Sequence, residues 1–176
     1  MRITDLKTYL VNANPPDTRE AERPRGTNWL FVKLHTDEGL TGVGEGGGWP
    51  EVTARAVEEL KHFLVGEDPF ETEMLWMKLH SVLHGHGVTG AVRGGALSAI
   101  DIALWDLKAK TVRLPVYELL GGRCRDKIRV YGHASTPEKA QQLVKRGYTA
   151  FKCAASVDII RRLRGEVGYQ VEIGLH

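Results

Sequence analysis

The stretch from about Ala96 to Thr111 constrains this chain more than any other. Leu97, Ile100, Leu104 and Leu107 recur at helical spacing, and Ala99, Ile102, Ala103 and Trp105 widen that stripe almost all round. A helix that is apolar on most faces must be covered on most faces. The residues before it therefore have to supply a sheet and further helices that pack around it. Asp101 and Asp106 lie on the same helix five positions apart, which is neither of the spacings that bring two side chains together, so they predict capping or structural bonds rather than a shared carboxylate site.

The covering elements are legible upstream. Ile3 to Val11 alternates roughly and is rich in β-formers, and Asn28 to Thr36 reads as a second strand. Between them Asn12 to Gly26 holds Pro15, Pro16 and Pro24 among charges and predicts a loop. Asp37-Glu38-Gly39 is a turn in which Gly39 can take positive φ, and Leu40 to Glu45 returns as a third strand. The opening is thus an antiparallel meander. Gly46 to Pro50 breaks it. One helix is predicted over about Glu51 to Leu64, with Ala56, Leu60, Phe63 and Leu64 on one face, and a second over about Pro69 to Leu83. Gly85 to Gly95 reads as irregular, and His84 and His86, either side of Gly85, as loop histidines rather than a metal pair.

After Asp126 the texture changes. Ile128 to Ala134, Tyr148 to Cys153 and Val171 to Leu175 read as strands, and Pro137 to Arg146 and Val157 to Glu166 as helices, the first capped by Ser135 or Thr136. Strand, helix, strand, helix, strand is the order of a parallel sheet. The fold class expected is therefore an α+β domain over residues 1–125 followed, over 126–176, by the first three strands of a parallel (β/α) barrel. A closed barrel of that kind takes about 250 residues, so an incomplete one is expected here.

Twenty-four basic against 22 acidic side chains leave a formal charge of +2, too little to argue for nucleic acid or an anionic membrane. Arg161, Arg162 and Arg164 read as a solvated helix face. Cys124 and Cys153 make no disulfide framework, the N-terminus lacks the apolar run of a signal peptide, and no stretch approaches the ~20 apolar residues of a membrane span. A cytoplasmic protein is expected. The run GEGGGWP lacks the GK[ST] ending of a phosphate loop.

The segment Arg93 to Lys108 (RGGALSAIDIALWDLK) closely resembles the capping-domain helix of the mandelate racemase and muconate lactonizing branch of the enolase superfamily. Leu114 to Gly122, Arg125 to Tyr131 and Asp37 to Glu45 resemble the same branch, nearest to its acid-sugar dehydratases of galactonate-dehydratase type. The resemblance implies abstraction of the proton α to a carboxylate, with a divalent metal, usually magnesium, stabilising the enediolate. It implies a sugar acid as substrate and a homo-oligomer, with a racemase or cycloisomerase as the neighbouring activity. Outside that class stands a non-catalytic binding or assembly module.

The resemblance also assigns residues. Lys152, in Phe151-Lys152-Cys153-Ala154, matches a lysine near the substrate carboxylate, and Ala154 stands where racemases carry a second, basic lysine. His176 falls where the first metal-binding aspartate is expected, and histidine suits magnesium less well than oxygen does. Arg25 and Trp49 lie in the two segments that resemble the substrate-selecting loops of the cap. Most metal ligands and the acid-base dyad belong to later strands, so this chain alone is expected to be inactive. The link from Ala154 to Val157 is shorter than in relatives.

Overall fold

The computed structural model describes residues 1–12 and 28–175. The chain divides into two compact units, Met1–Arg123 and Cys124–His176.

The first unit opens with strands β1 (Ile3–Asn12), β2 (Asn28–Thr36) and β3 (Thr41–Gly46), paired antiparallel in the order β1-β2-β3. Tyr9 lies opposite Phe31, which lies opposite Glu45. Gly39 forms the turn between β2 and β3 at φ 78°, a conformation that glycine adopts without steric penalty. Along β2 the alternation is complete on the inner face: Leu30, Val32 and Leu34 are fully buried. Each such side chain contributes roughly 1.5–3 kcal/mol by leaving water.

Helices α1 (Pro50–Leu64), α2 (Thr72–Gly85) and α3 (Gly90–Val112) complete the core. The stripe on α3 is buried as the sequence predicts: Leu97, Ile100, Leu104 and Leu107 are at most 6% exposed. The helix is not covered all round, however. Ile102 is exposed, and Trp105 is half-buried with the Lys108 ammonium 5.0 Å from its ring centroid. α3 lies directly on β3. Gly42, Gly44 and Gly46 face it, and a Cβ at 42 or 44 would collide with the main chain at Ala103 or Ala99.

Two boundaries differ from the sequence reading. The predicted irregular stretch Gly85 to Gly95 is largely helical: α2 runs to Gly85 and α3 begins at Gly90. Gly94 and Gly95 lower helix propensity by about 1 kcal/mol each relative to alanine. Packing overrides that preference, because the carbonyl of Gly47 fills the space that a Cβ of residue 95 would take. α3 ends where Arg113 adopts a left-handed φ of 57° and the Leu114 N–H returns to the Ala109 carbonyl at 3.0 Å. Pro115 then precedes the short helix α4 (Val116–Leu119).

In the second unit, β4 (Gly132–His133), β5 (Ala150–Cys153) and β6 (Glu172–Leu175) pair in parallel in that order. α5 (Pro137–Lys145) and α6 (Val157–Val167) follow β4 and β5. Thr136 caps α5, its hydroxyl accepting from the Lys139 N–H at 3.3 Å. Ala140 and Leu143 of α5 and Leu163 of α6 share one buried cluster with Phe151 and Cys153 of β5. The first strand is much shorter than expected. Of Ile128 to Ala134 only two residues pair, and Ile128, Val130 and Tyr131 are exposed. A parallel ladder extends only as far as its neighbour does, and β5 has four residues. The unit is a three-stranded parallel sheet with helices contributing to one buried face.

Candidate functional site

The other face of that parallel sheet is open. Because side chains alternate along a strand, burial of Phe151 and Cys153 among the helices turns Lys152 the opposite way. The register sets His133 of β4 beside Lys152 of β5, and Lys152 beside Gly174 of β6. Gly174 brings no side chain, so the row is open next to the lysine. Tyr131, two residues before His133, keeps its ring 6.0 Å from the imidazole. Tyr131, Lys152, Glu172 and Gly174 line a shallow groove of about 340 Å³.

The charges in this groove differ in their engagement. Glu172 is held by Arg129, whose NH1 lies 2.8 Å from its Oε1. The same guanidinium donates from Nε to the Thr149 hydroxyl at 2.9 Å and from its other nitrogen to the Thr149 carbonyl at 3.1 Å. Arg129 thus ties the segment before β4 to the starts of β5 and β6. Both partners of the ion pair are exposed, so the pair itself contributes at most about 1 kcal/mol. Lys152 is different. It is half-buried, and among the described residues no carboxylate pairs with its ammonium. A fixed cation beside a groove is a place for an anion.

Of the sequence-predicted residues, one is described in each unit and two lie outside the described residues. Lys152 lies in the groove. Trp49 belongs to the first unit, where it is half exposed at 51% and precedes α1, its carbonyl accepting from the Thr53 N–H at 2.8 Å. Arg25 and His176 lie outside the described residues. Tyr131, which lines the groove, and His133, which the register sets beside Lys152, are residues that the sequence reading did not single out. Their signal was the alternation Tyr131-Gly132-His133, which puts both rings on one strand face.

The described residues do not make a magnesium site. Among them no group of three or more histidine, cysteine, aspartate or glutamate side chains is placed to hold a metal ion. Magnesium demands an octahedron of oxygens, whereas the groove offers a lysine and a carboxylate already bound to arginine. Among the described residues, too, no helix is long and apolar enough to cross a membrane. Cys153 is buried, Cys124 is exposed, and both are free.

Comparison with known proteins sets this geometry in a family. The sequence pattern of the mandelate racemase / muconate lactonizing enzyme N-terminal domain matches residues 8–121. A D-galactonate dehydratase from Verminephrobacter eiseniae is 35% identical over 198 aligned positions, which take in 99% of this chain and 48% of that protein. One from Variovorax paradoxus is 38% identical over 86% of this chain and 38% of its own length. Among solved structures, the 3,6-anhydro-D-galactonate cycloisomerase from Zobellia galactanivorans superposes with a TM-score of 0.85 at 27% identity, over 99% of this chain and 50% of that one. The chain spans about half the length of the curated relatives it matches or less. A domain pattern over most of its length and a shared fold make this chain a member of the mandelate racemase / muconate lactonizing enzyme family of the enolase superfamily.

Proposed function

We propose that this chain is the N-terminal portion of an acid-sugar dehydratase of the galactonate-dehydratase type, in which Lys152 binds the substrate carboxylate. The observation that carries the reading is the ammonium of Lys152 on the open sheet face, which no carboxylate among the described residues pairs, beside His133 and on the face opposite the buried Phe151. The identity of the matched relatives as D-galactonate dehydratases supplies the substrate class.

The chemistry gives that lysine a task. Removing the proton α to a carboxylate leaves an enediolate, whose new negative charge gathers on the carboxylate oxygens. A cation fixed at those oxygens stabilises this charge more than it stabilises the ground state, which lowers the barrier. Loss of the β-hydroxyl as water then leaves an enol that ketonises to a 2-keto-3-deoxy acid. Lysine suits the role because its three N–H donors form a compact charge that needs no fixed fork geometry. With Ala154 two residues on, β5 supplies no second lysine to take the proton.

In this reading residues 1–125 cap the site and 126–176 begin a (β/α) barrel, with Trp49 and Arg25 selecting the substrate. The metal ligands and the acid-base pair come from sequence that this chain does not contain. His176, an imidazole where an acidic oxygen is wanted, does not make up that deficit for magnesium. The 176 residues by themselves are inactive. A cycloisomerase is the second reading, favoured by the fold shared with the Zobellia galactanivorans enzyme.

The test combines the purified chain with the missing half of the Verminephrobacter eiseniae relative, with D-galactonate and magnesium present. Keto-acid formation by the combination and by neither part alone supports the reading. Turnover by the 176-residue chain alone contradicts it.

A further inference from the structure

The outer side of α2 carries a pair of histidines that the sheet groove does not involve. His80 and His84 are one helical turn apart, with ring centroids 6.2 Å from each other and ring planes within 10°. Trp76, one turn earlier, stacks on His80 at 5.0 Å and 18°. His80 is half-buried, His84 is exposed, and among the described residues no hydrogen bond engages the His80 ring. The third histidine of this stretch is committed elsewhere: His86 caps the helix, its Nδ1 lying 2.9 Å from the Val82 carbonyl.

Residues four apart on a helix face have neighbouring side chains. That spacing is the one by which helical zinc motifs clasp a metal between two imidazoles. Imidazole suits zinc, nickel and copper, and the affinity of nitrogen sites peaks at copper(II). The ring torsion of histidine is broad, so two rings already one turn apart can turn their nitrogens toward a common point at small cost.

We propose that His80 and His84 form a two-histidine site for a transition-metal ion of the copper, nickel and zinc class, completed by water. The site is separate from the magnesium chemistry of the family and does not depend on the proposed function. Its surroundings add a distinguishing feature. An Arg93 nitrogen lies 3.4 Å from His84 Nδ1. Metal at His84 Nε2 requires the proton on Nδ1, which ends that contact, and the guanidinium charge opposes the incoming cation. Arg93 therefore weakens the site.

Copper(II) titration of the 176-residue chain, read by calorimetry and by tryptophan fluorescence, tests the proposal. One equivalent should bind and quench Trp76, whose ring lies against His80. H80Q and H84Q should each weaken binding about tenfold or more, since the second imidazole binds intramolecularly. H62Q and H86Q should leave it unchanged, R93Q should tighten it, and W76F should remove the quench while leaving the calorimetric affinity intact. Excess magnesium should displace nothing. Unchanged affinity in H80Q and H84Q, or equal weakening by H86Q, would overturn the site. Both rings are on the surface of α2, and helicity measured on each variant, with H80A and H84A as second substitutions, separates lost binding from lost folding.

Discussion

Gly44 lies so close to Ala99 that a Cβ at position 44 would overlap the carbonyl oxygen of residue 99. This approach lets α3 rest on β3, and it fixes where the most apolar helix of the chain sits. Gly44→Ala should therefore destabilise the first unit by about 1–3 kcal/mol or more, because the clash is with backbone that cannot rotate away. Gly47→Ala is the control, since a Cβ at 47 meets nothing within 4 Å, and should stay within about 0.5 kcal/mol. Urea midpoints of the two variants measure both.

Asp106 joins the same two elements by a polar route. Its Oδ2 accepts from the Val43 N–H at 2.8 Å and from Lys110 Nζ at 2.6 Å. Lys110 also donates to the Thr41 carbonyl at 3.0 Å. Asp106→Ala leaves the β3 edge without its acceptor and should lower stability by roughly 1–2 kcal/mol. Double substitution with Lys110→Met should fall short of additivity, because both side chains act through one carboxylate.

Asp101 should give stability an unusual pH dependence. Burial, with a smaller contribution from the nearby Glu73 charge, holds its carboxyl above the ordinary 3.8. The folded state then binds the proton more tightly than the unfolded state, so this group's contribution is full below 3.8 and is lost as pH rises through the raised value. Asp101→Asn should stabilise the chain at pH 7 and lose that advantage at acid pH. Asp5 works in the opposite sense. Its hydrogen bond to Lys61 holds it below 3.8, so its contribution is present above that value and disappears as pH falls through the lowered one. Lys61→Met should reduce that acid-side loss, the Leu6 N–H and the Lys7 charge still holding the carboxyl down. Chemical denaturation at a series of pH values reads both slopes.

These relationships show how far the sequence could be read. The stripe Leu97, Ile100, Leu104 and Leu107 and the alternation Leu30, Val32, Leu34 announced the core of the first unit, because a buried face leaves a period in the sequence. The early start of α3 at Gly90 left no such mark. Gly94 and Gly95 read locally as breakers, and only the carbonyl of Gly47, distant in sequence, explains Gly95 inside a helix. Likewise Ile128 and Val130 have strand character, yet they lie beyond the reach of β5 and do not pair. Lys152 was named as a candidate through a resemblance. His133 was not, because its place beside Lys152 is a matter of parallel register between strands 19 residues apart at these positions, which no local pattern encodes. The His80–His84 pair was hidden for a related reason: with α2 expected to stop at Leu83, His84 read as a loop residue, whereas the helix carries it one turn above His80.

The central claim, that Lys152 serves the substrate carboxylate of a dehydratase assembled from this chain and a second half, meets its most direct test in Lys152→Met. Keto-acid formation from D-galactonate is measured in the combination of this chain with the second half of the Verminephrobacter eiseniae enzyme, with and without the substitution. The account predicts that K152M lowers kcat/KM by about 100-fold or more, as loss of one fixed transition-state donor does, while the two parts still associate. Unchanged turnover in K152M would contradict it.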